Sequence, residues 1–298
     1  MEPSSSRPDV SVVIVHFETP DLLSACLRAL AAGSGALKLE VFVIDNASRG
    51  FDQLAVDPAL PGAKVVVNHR NRGFAAASNQ GLREATGRYL LLLNPDTKVE
   101  PATVPTMVEY MDARPDVGCA TPRLTLPDGS LDLACRRSFP TPARAFFRLT
   151  LLSRLFPRSR RFGQYNLTYL DDDKEVEIDS PCGAFMLVRG EALAEVGLLD
   201  ERYFMYGEDI DWSYRIKNAG WRVMYTPAAI AHHIKRASSR QARRRTIRAF
   251  HEAMRIFYRQ YYERSYPRWV SWAIYRAIDA RETLELAAHR LKRAEAGS

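Results

Sequence analysis

Leu90-Leu-Leu-Leu-Asn94-Pro-Asp96-Thr97 decides how this chain folds. Four consecutive leucines with no polar face predict a strand buried on both sides, as in a parallel sheet covered by helices. The run ends in a turn that carries a carboxylate. In open α/β sheets, ligands settle beyond the carboxyl ends of the strands. A short acid there suits an oxygen-loving divalent cation holding a substrate diphosphate. The stretch therefore points to an α/β protein that handles a nucleotide-activated substrate.

The neighbouring sequence repeats the pattern. Val10–Val15, Leu39–Ile44 and Lys64–Val67 are β-branched, apolar runs, and each predicts a strand. Between them, residues 20–32 and 74–85 carry helical spacing and close on Gly33 and Gly87. Residues 10–100 thus form the nucleotide-binding half of a Rossmann-like, mostly parallel sheet flanked by helices. Residues 101–114 predict a helix, 117–126 and 180–188 strands, 209–219 a helix closed by Gly220, and 221–225 a further strand. The expected organisation is a flexible tail over 1–9 and a catalytic domain over 10–239, with its acceptor half at 101–239. A basic amphipathic helical extension follows over 240–298.

Bulk properties narrow the partners. The chain has 298 residues, 46% of them hydrophobic and 26% charged, enough for a sizeable core in a soluble globular protein. No apolar run approaches the ~20 residues a membrane span needs, and the polar start lacks the apolar stretch of a secretory signal. The cysteines at 26, 119, 135 and 182 lie far apart, which predicts reduced thiols in a cytoplasmic protein. The net charge of +7 is concentrated: Lys235–Arg264 holds ten basic residues against two acids, and Arg136–Arg161 holds eight arginines and no acid. Aromatic and aliphatic residues alternate with these arginines. Such surfaces suit an anionic membrane face, a phosphorylated acceptor or nucleic acid.

Several groups could do chemistry. Asp45 follows the second strand as Asp96 follows the fourth, where carboxylates accept hydrogen bonds from a base or ribose; a helix cap or Asx turn is the plainer role. Asn71-Arg72-Gly73-Phe74 opens a helix that also carries Asn79. A glycine there permits close backbone approach, and a helix N-terminus favours anions. Glu208-Asp209-Ile-Asp211 sets three acids in four residues. On a helix, Asp209 and Asp211 lie about 200° apart, and Asp211 can pair with Arg215 one turn on. That leaves Glu208 and Asp209 facing a cleft, where a carboxylate can act as general base. In His232-His233, one imidazole can complete a metal site begun by Asp96. His232 is the choice made from spacing.

Together these residues resemble the family 2 glycosyltransferases, which have a GT-A fold, and among them the bacterial rhamnosyltransferase-like members. The resemblance runs from about Val10 to about Ser239. It rests on Ser11–Phe17, Val43–Ser48, Asn71–Gly81, Asn94-Pro-Asp96-Thr97, Gly183–Met186, Asp200–Phe204, Glu208–Asp211 and His232-His233. It implies a nucleoside-diphosphate sugar donor, dTDP- or UDP-linked, a Mg2+ or Mn2+ ion, and a glycan or lipid-linked acceptor. By the same likeness, His16, Phe17, Glu18, Asp45 and Asn46 line the nucleoside pocket, and Arg72, Gly73, Phe74 and Asn79 flank the donor. Asp96 matches the last acid of the family's DXD motif, and Asn94 stands where many members have its first. Gly183 and Ala184 sit beside donor sugar and acceptor, Asp209 matches the base, with Glu208 before it, and His232 matches a metal-associated histidine. The implied reaction is one inverting displacement in polysaccharide synthesis, on the inner face of the plasma membrane.

Two other classes remain. An arginine-rich nucleic-acid binder would leave Glu208 and Asp209 without a purpose, and no reader motif is present. An inactive scaffold would keep the fold without turnover. A sugar nucleotidyltransferase would need a glycine-rich triphosphate loop near the N-terminus, and none is found.

Overall fold

A computed structural model describes residues 7–52, 56, 58, 60–234 and 243–295. The N-terminal half is built from β1 (Val10–His16), α1 (Pro20–Gly33), β2 (Leu39–Asp45), β3 (Lys64–Val67), α2 (Phe74–Glu84) and β4 (Tyr89–Leu93). Every residue of β1 and β4 is buried, as expected for strands covered on both faces. β1 pairs in parallel with β2 on one side and β4 on the other, and β2 with β3. Strand order therefore reverses on either side of β1, which opens a crevice at its carboxyl end. α2 lies close on the sheet because its inner face is small: a Cβ at Gly81 would meet Val13 at 2.9 Å.

The second half adds β5 (Thr97–Val99), α3 (Thr103–Asp112), β6 (Val117–Thr125), α4 (Pro142–Leu149), α5 (Leu152–Leu155) and β7 (Val176–Glu177). Then come β8 (Phe185–Arg189), α6 (Gly190–Val196), α7 (Glu208–Asn218) and β9 (Arg222–His233). The sheet runs β3-β2-β1-β4-β8-β6-β9-β5, with β7 on β9. β8 enters antiparallel to β4, with Phe185 opposite Leu93. Its first residues therefore lie beside the turn after β4. β5 pairs antiparallel with β9, setting Thr97 opposite His233 and Lys98 opposite His232. β9 does not stop at Pro227. A register shift lets the strand pass the proline and carry both histidines to the edge.

α8 (Arg243–Tyr261) and α9 (Arg268–Glu295) complete the fold. The expected boundary at 239/240 lies outside the described residues. Beyond it, α8 is fastened to α7 and the loop before it. Ala253 and Phe257 join Tyr203 and Ile210 in a second apolar cluster, and the Tyr261 hydroxyl donates to Asp211 at 2.6 Å. Of the expected tail, Arg7 is held by the carbonyls of Thr86 and Gly87, and the Asp9 amide by Lys38. Among the described residues, no helix is long and apolar enough to cross a membrane.

Candidate active site

Two adjacent residues join the acidic turn to the acidic helix. The Asn94 amide donates to the Ala184 carbonyl at 3.1 Å. The Gly183 amide donates to Asp209 Oδ2 at 3.3 Å. Asp96, two residues beyond Asn94 in a turn closed by Thr97, and Asp209, at the start of α7, therefore share one rim of the sheet. Both carboxylates are largely buried, at 8% and 7% exposure.

Asp209 is tightly held. Its Oδ2 also accepts from Arg137 Nη2 at 2.7 Å, and its Oδ1 from the Ile210 amide at 2.8 Å. Burial opposes the charge on Arg137, but the neighbouring Asp209 outweighs it and raises the guanidinium's proton affinity. Glu208 is different. Its Oε2 has no hydrogen-bond partner among the described residues. Burial, then the charge of Asp209, pushes its carboxyl up to about 8, with Arg137 pulling the other way. Glu208 therefore holds its proton more tightly than an ordinary carboxyl, while Asp209 is the one of the two that faces the Arg137 guanidinium. Asp211 pairs with Arg215 at 3.0 Å, as the helical spacing predicts.

The proton held by Glu208 has a measurable consequence. A carboxyl with a raised native pKa contributes stability that is full below its ordinary value and lost as pH rises through the raised one. Glu208→Gln cannot ionise. Its melting temperature should match that of the parent only below the ordinary carboxylate range, draw ahead as pH rises from there, and hold its full lead above pH 8, by about 2–4 °C for each kcal/mol relieved. Parallel melting curves across the whole range would contradict the raised value.

At the other end of the crevice, His16 and Asp45 are neighbours across β1 and β2. His16 Nε2 accepts from the Thr19 amide at 3.0 Å, so Nδ1 carries the proton and donates to Asp45 Oδ1 at 2.9 Å. Asp45 is fully buried and also accepts from the Ser48 amide, so it braces His16 from beneath. His16 and Glu18 line a cavity of about 220 Å3 with Leu23, Arg49, Phe51 and Asp52. Phe17 is half-buried beside it. Asn46 ties β2 to the next loop, accepting from the Arg72 amide at 2.9 Å and donating to the Gly73 carbonyl at 3.1 Å.

Arg72 is exposed at the rim. Gly73 has φ of +87°, and a Cβ there would come within 2.4 Å of the Phe204 carbonyl oxygen, so no other residue fits. The Phe74 amide donates to that same carbonyl at 2.7 Å, and its ring lies against Gly183. Arg245 of α8 stacks on the Phe204 ring at 4.1 Å. Asn79 does not face the crevice. Its buried amide bonds both backbone groups of Leu199 and the Glu201 carboxylate. It holds the 199–201 loop against α2.

The register of β9 sends the two histidines to different partners. Alternation along β9 sends His232 away from Asp96, to Glu100 Oε1 at 2.8 Å and Thr125 Oγ1 at 2.8 Å, where it is 45% exposed. His233 turns inward. Its Nε2 lies 3.4 Å from Asp96 Oδ1 and its Nδ1 2.7 Å from Asp132 Oδ2. Burial lowers the proton affinity of His233, but Asp132 and Asp96 outweigh it and hold the imidazole up to about 9. Choosing between adjacent histidines needs the pairing of β9, which no local pattern supplies. Arg137 was equally hidden, as one arginine among eight in its segment.

A parallel half with a crevice at its switch point, an acidic turn after its fourth strand and an acid-led helix across from it define a GT-A-type glycosyltransferase fold. A family model described as Glycosyltransferase like family 2 matches residues 8–251, and the chain belongs to that family.

Its relatives include a Mycobacterium tuberculosis N-acetylglucosaminyl-diphospho-decaprenol L-rhamnosyltransferase, 27% identical over 83% of this chain and 82% of that one. They also include the rhamnosyltransferase WbbL of Escherichia coli, 27% identical over 58% of this chain and 62% of that one. Among solved structures, the Pyrobaculum calidifontis mannosyltransferase PcManGT, in complex with GDP-Man and Mn2+, is 19% identical. The match covers 99% of this chain and 77% of that one, with a TM-score of 0.55. GalNAc-T7 with UDP, GalNAc and Mn2+ matches 78% of this chain and 45% of that one, also at 19% identity, with a TM-score of 0.58. At this identity the structural likeness is one of fold.

Proposed function

We propose that this protein is an inverting transferase that moves rhamnose from a dTDP- or UDP-linked donor to a hydroxyl of a lipid-linked glycan. The observation that carries the reading is the Gly183-Ala184 link, which ties the Asp96 turn to Asp209 across one crevice. The identity of the sugar leans on the rhamnosyltransferases among the relatives.

The nucleoside belongs in the cavity of His16, Glu18 and Phe51, with Arg72 at its rim toward the phosphates. A Mg2+ or Mn2+ ion fits the far end of the crevice. Asp96 supplies a carboxylate oxygen of the kind such ions take, and His233 Nε2, 3.4 Å from it, would join once the proton that Asp132 and Asp96 hold on the ring is displaced. No group of three His, Cys, Asp or Glu side chains could hold a metal among the described residues, so substrate oxygens would complete the shell. When bound, the ion offsets negative charge on the departing diphosphate.

Asp209 is the proton acceptor. As the acceptor oxygen bonds to the anomeric carbon and the bond to the diphosphate breaks, the hydroxyl grows acidic and its proton passes to the carboxylate. Arg137 and the Gly183 and Ile210 amides hold that carboxylate in place beforehand. Glu208 Oε2 has no such partner among the described residues, and burial favours the protonated form of that side chain. The basic helices α8 and α9 favour peripheral contact with an anionic inner membrane face.

A thermal-shift screen of nucleoside diphosphates and their sugars tests the reading. A ligand at 100 times its Kd stabilises the fold by about 2.7 kcal/mol. dTDP or UDP should raise the melting temperature, and more so with Mn2+. Flat curves for every nucleotide, with or without the ion, would remove the donor site.

A further inference from the structure

We propose that the α4–α5 hairpin, residues 142–162, is the element that enters an anionic lipid surface, beside the acceptor side of the crevice. From Arg136 to Arg161 the sequence holds eight arginines and no acid. The structure sorts them into two groups. Arg136, Arg137 and Arg144 turn inward to Asp172, Asp209 and Asp179. Arg148, Arg154, Arg158, Arg160 and Arg161 are exposed, and none has a carboxylate within ion-pair distance among the described residues.

Large apolar side chains project among them. Phe146 is 56% exposed, Leu151 51%, Leu155 70% and Phe156 53%. These four are presented on a propped scaffold: Phe162 packs edge-on against Phe147 at 5.0 Å and at a tilt against Phe156 at 5.7 Å. Leu151 also holds a left-handed backbone conformation, φ +63°, at the bend between the two helices. Glycine would sit there without strain. A leucine kept in a strained position with half its surface in water points to a use for the side chain.

The composition selects the occupant. Arginines without a carboxylate partner, two of them resting on aromatic rings, interleaved with exposed leucine and phenylalanine match an interfacial segment, where apolar side chains enter the acyl boundary and guanidinium groups meet lipid phosphates. A second copy of the chain would bring arginines against arginines. A nucleic acid would satisfy the charges but leave Leu151 and Leu155 without a partner.

The hairpin is rooted in the site wall. It departs after Arg137, which bonds Asp209, and returns at Tyr165, whose carbonyl accepts from the Ser138 amide at 2.8 Å. The root of the hairpin therefore lies next to Asp209. Its use in presenting a lipid-linked acceptor rests on the function proposed above; the docking itself does not.

The test uses the full chain. All four native cysteines are buried, so Leu155→Cys can be labelled selectively with a polarity-sensitive dye. On vesicles of equal parts phosphatidylglycerol and phosphatidylcholine, emission should shift to the blue and acrylamide quenching should fall about threefold. Pure phosphatidylcholine should do far less, and high salt should reverse the change. Separately, the triple variant Phe146→Ser, Leu151→Ser, Leu155→Ser should bind the anionic vesicles roughly tenfold more weakly, with its melting temperature and nucleotide response unchanged. The proposal is overturned by a dye that stays accessible on vesicle-bound protein, by a triple variant that binds like the parent, or by shielding that follows oligonucleotide or self-association instead. If the dye is buried by vesicles while no nucleotide stabilises the parent, the docking stands and the transferase reading falls.

Discussion

Asp209→Asn is expected to lower sugar transfer by roughly 10²- to 10⁴-fold, the usual contribution of a positioned general base, and to leave nucleotide affinity intact. The amide keeps the shape of the carboxylate, but with a single acceptor oxygen it can keep the bond from the Ile210 amide or the one from the Gly183 amide, not both. What it loses is the ability to take a proton. It also leaves Arg137, only 12% exposed, without its counter-charge. Breaking one side of a buried pair typically costs about 3–5 kcal/mol, so the variant should also melt lower. That side effect makes the assignment testable. Adding Arg137→Gln removes the orphaned charge and should recover much of the lost stability. Turnover should not return. Single-turnover transfer and melting curves on both variants separate a proton acceptor from a structural anchor, and recovery of activity in the double variant would favour the anchor.

Asp96→Ala should remove the part of nucleotide binding that depends on Mg2+ or Mn2+. A cation on a departing diphosphate is worth several kcal/mol, so turnover should fall by roughly a hundredfold or more. The change also takes one of the two carboxylates from His233, whose other partner, Asp132, remains at 2.7 Å. The paired comparison is His233→Ala against His232→Ala. The first should share the cation defect of Asp96→Ala. The second should lose only its contacts with Glu100 and Thr125 and titrate Mn2+ like the parent. A nucleotide response to Mn2+ that survives Asp96→Ala would move the ion away from this turn.

The parts of the fold legible in the sequence are those that local physics decides. Leu90–Leu93 can only be a strand buried on both faces, and Val10–Val15 and Leu39–Ile44 can be read in the same way. Gly33 and Gly87 lie at or just beyond the ends of α1 and α2. Asp211 pairs with Arg215 because a helix places residues one turn apart together. What escapes is set by distant pairing. β5 has three residues and exists because β9 lies beside it. The antiparallel entry of β8 follows from a connection, not from its composition. Pro227 reads as a stop, yet the strand continues through a register shift. His232 and His233 are equivalent until the face of β9 is known. Asn79 has the composition of a ligand residue but closes a loop, a distinction that depends on Leu199 and Glu201, 120 residues and more away.

The clasp between α7 and α8 bears on how the protein is made. The outer side of the helix that carries Asp209 is closed only when Tyr261 reaches Asp211 and Phe257 covers Ile210. During synthesis, domains fold from the N-terminus at about 5–20 residues per second. The sheet and Asp96 can settle early, while the helix carrying the acid keeps a wet, unlatched flank for several seconds more. Competence at the ribosome therefore arrives late, and a nascent chain stalled before Tyr261 would hold a nearly complete core with its reactive helix still loose.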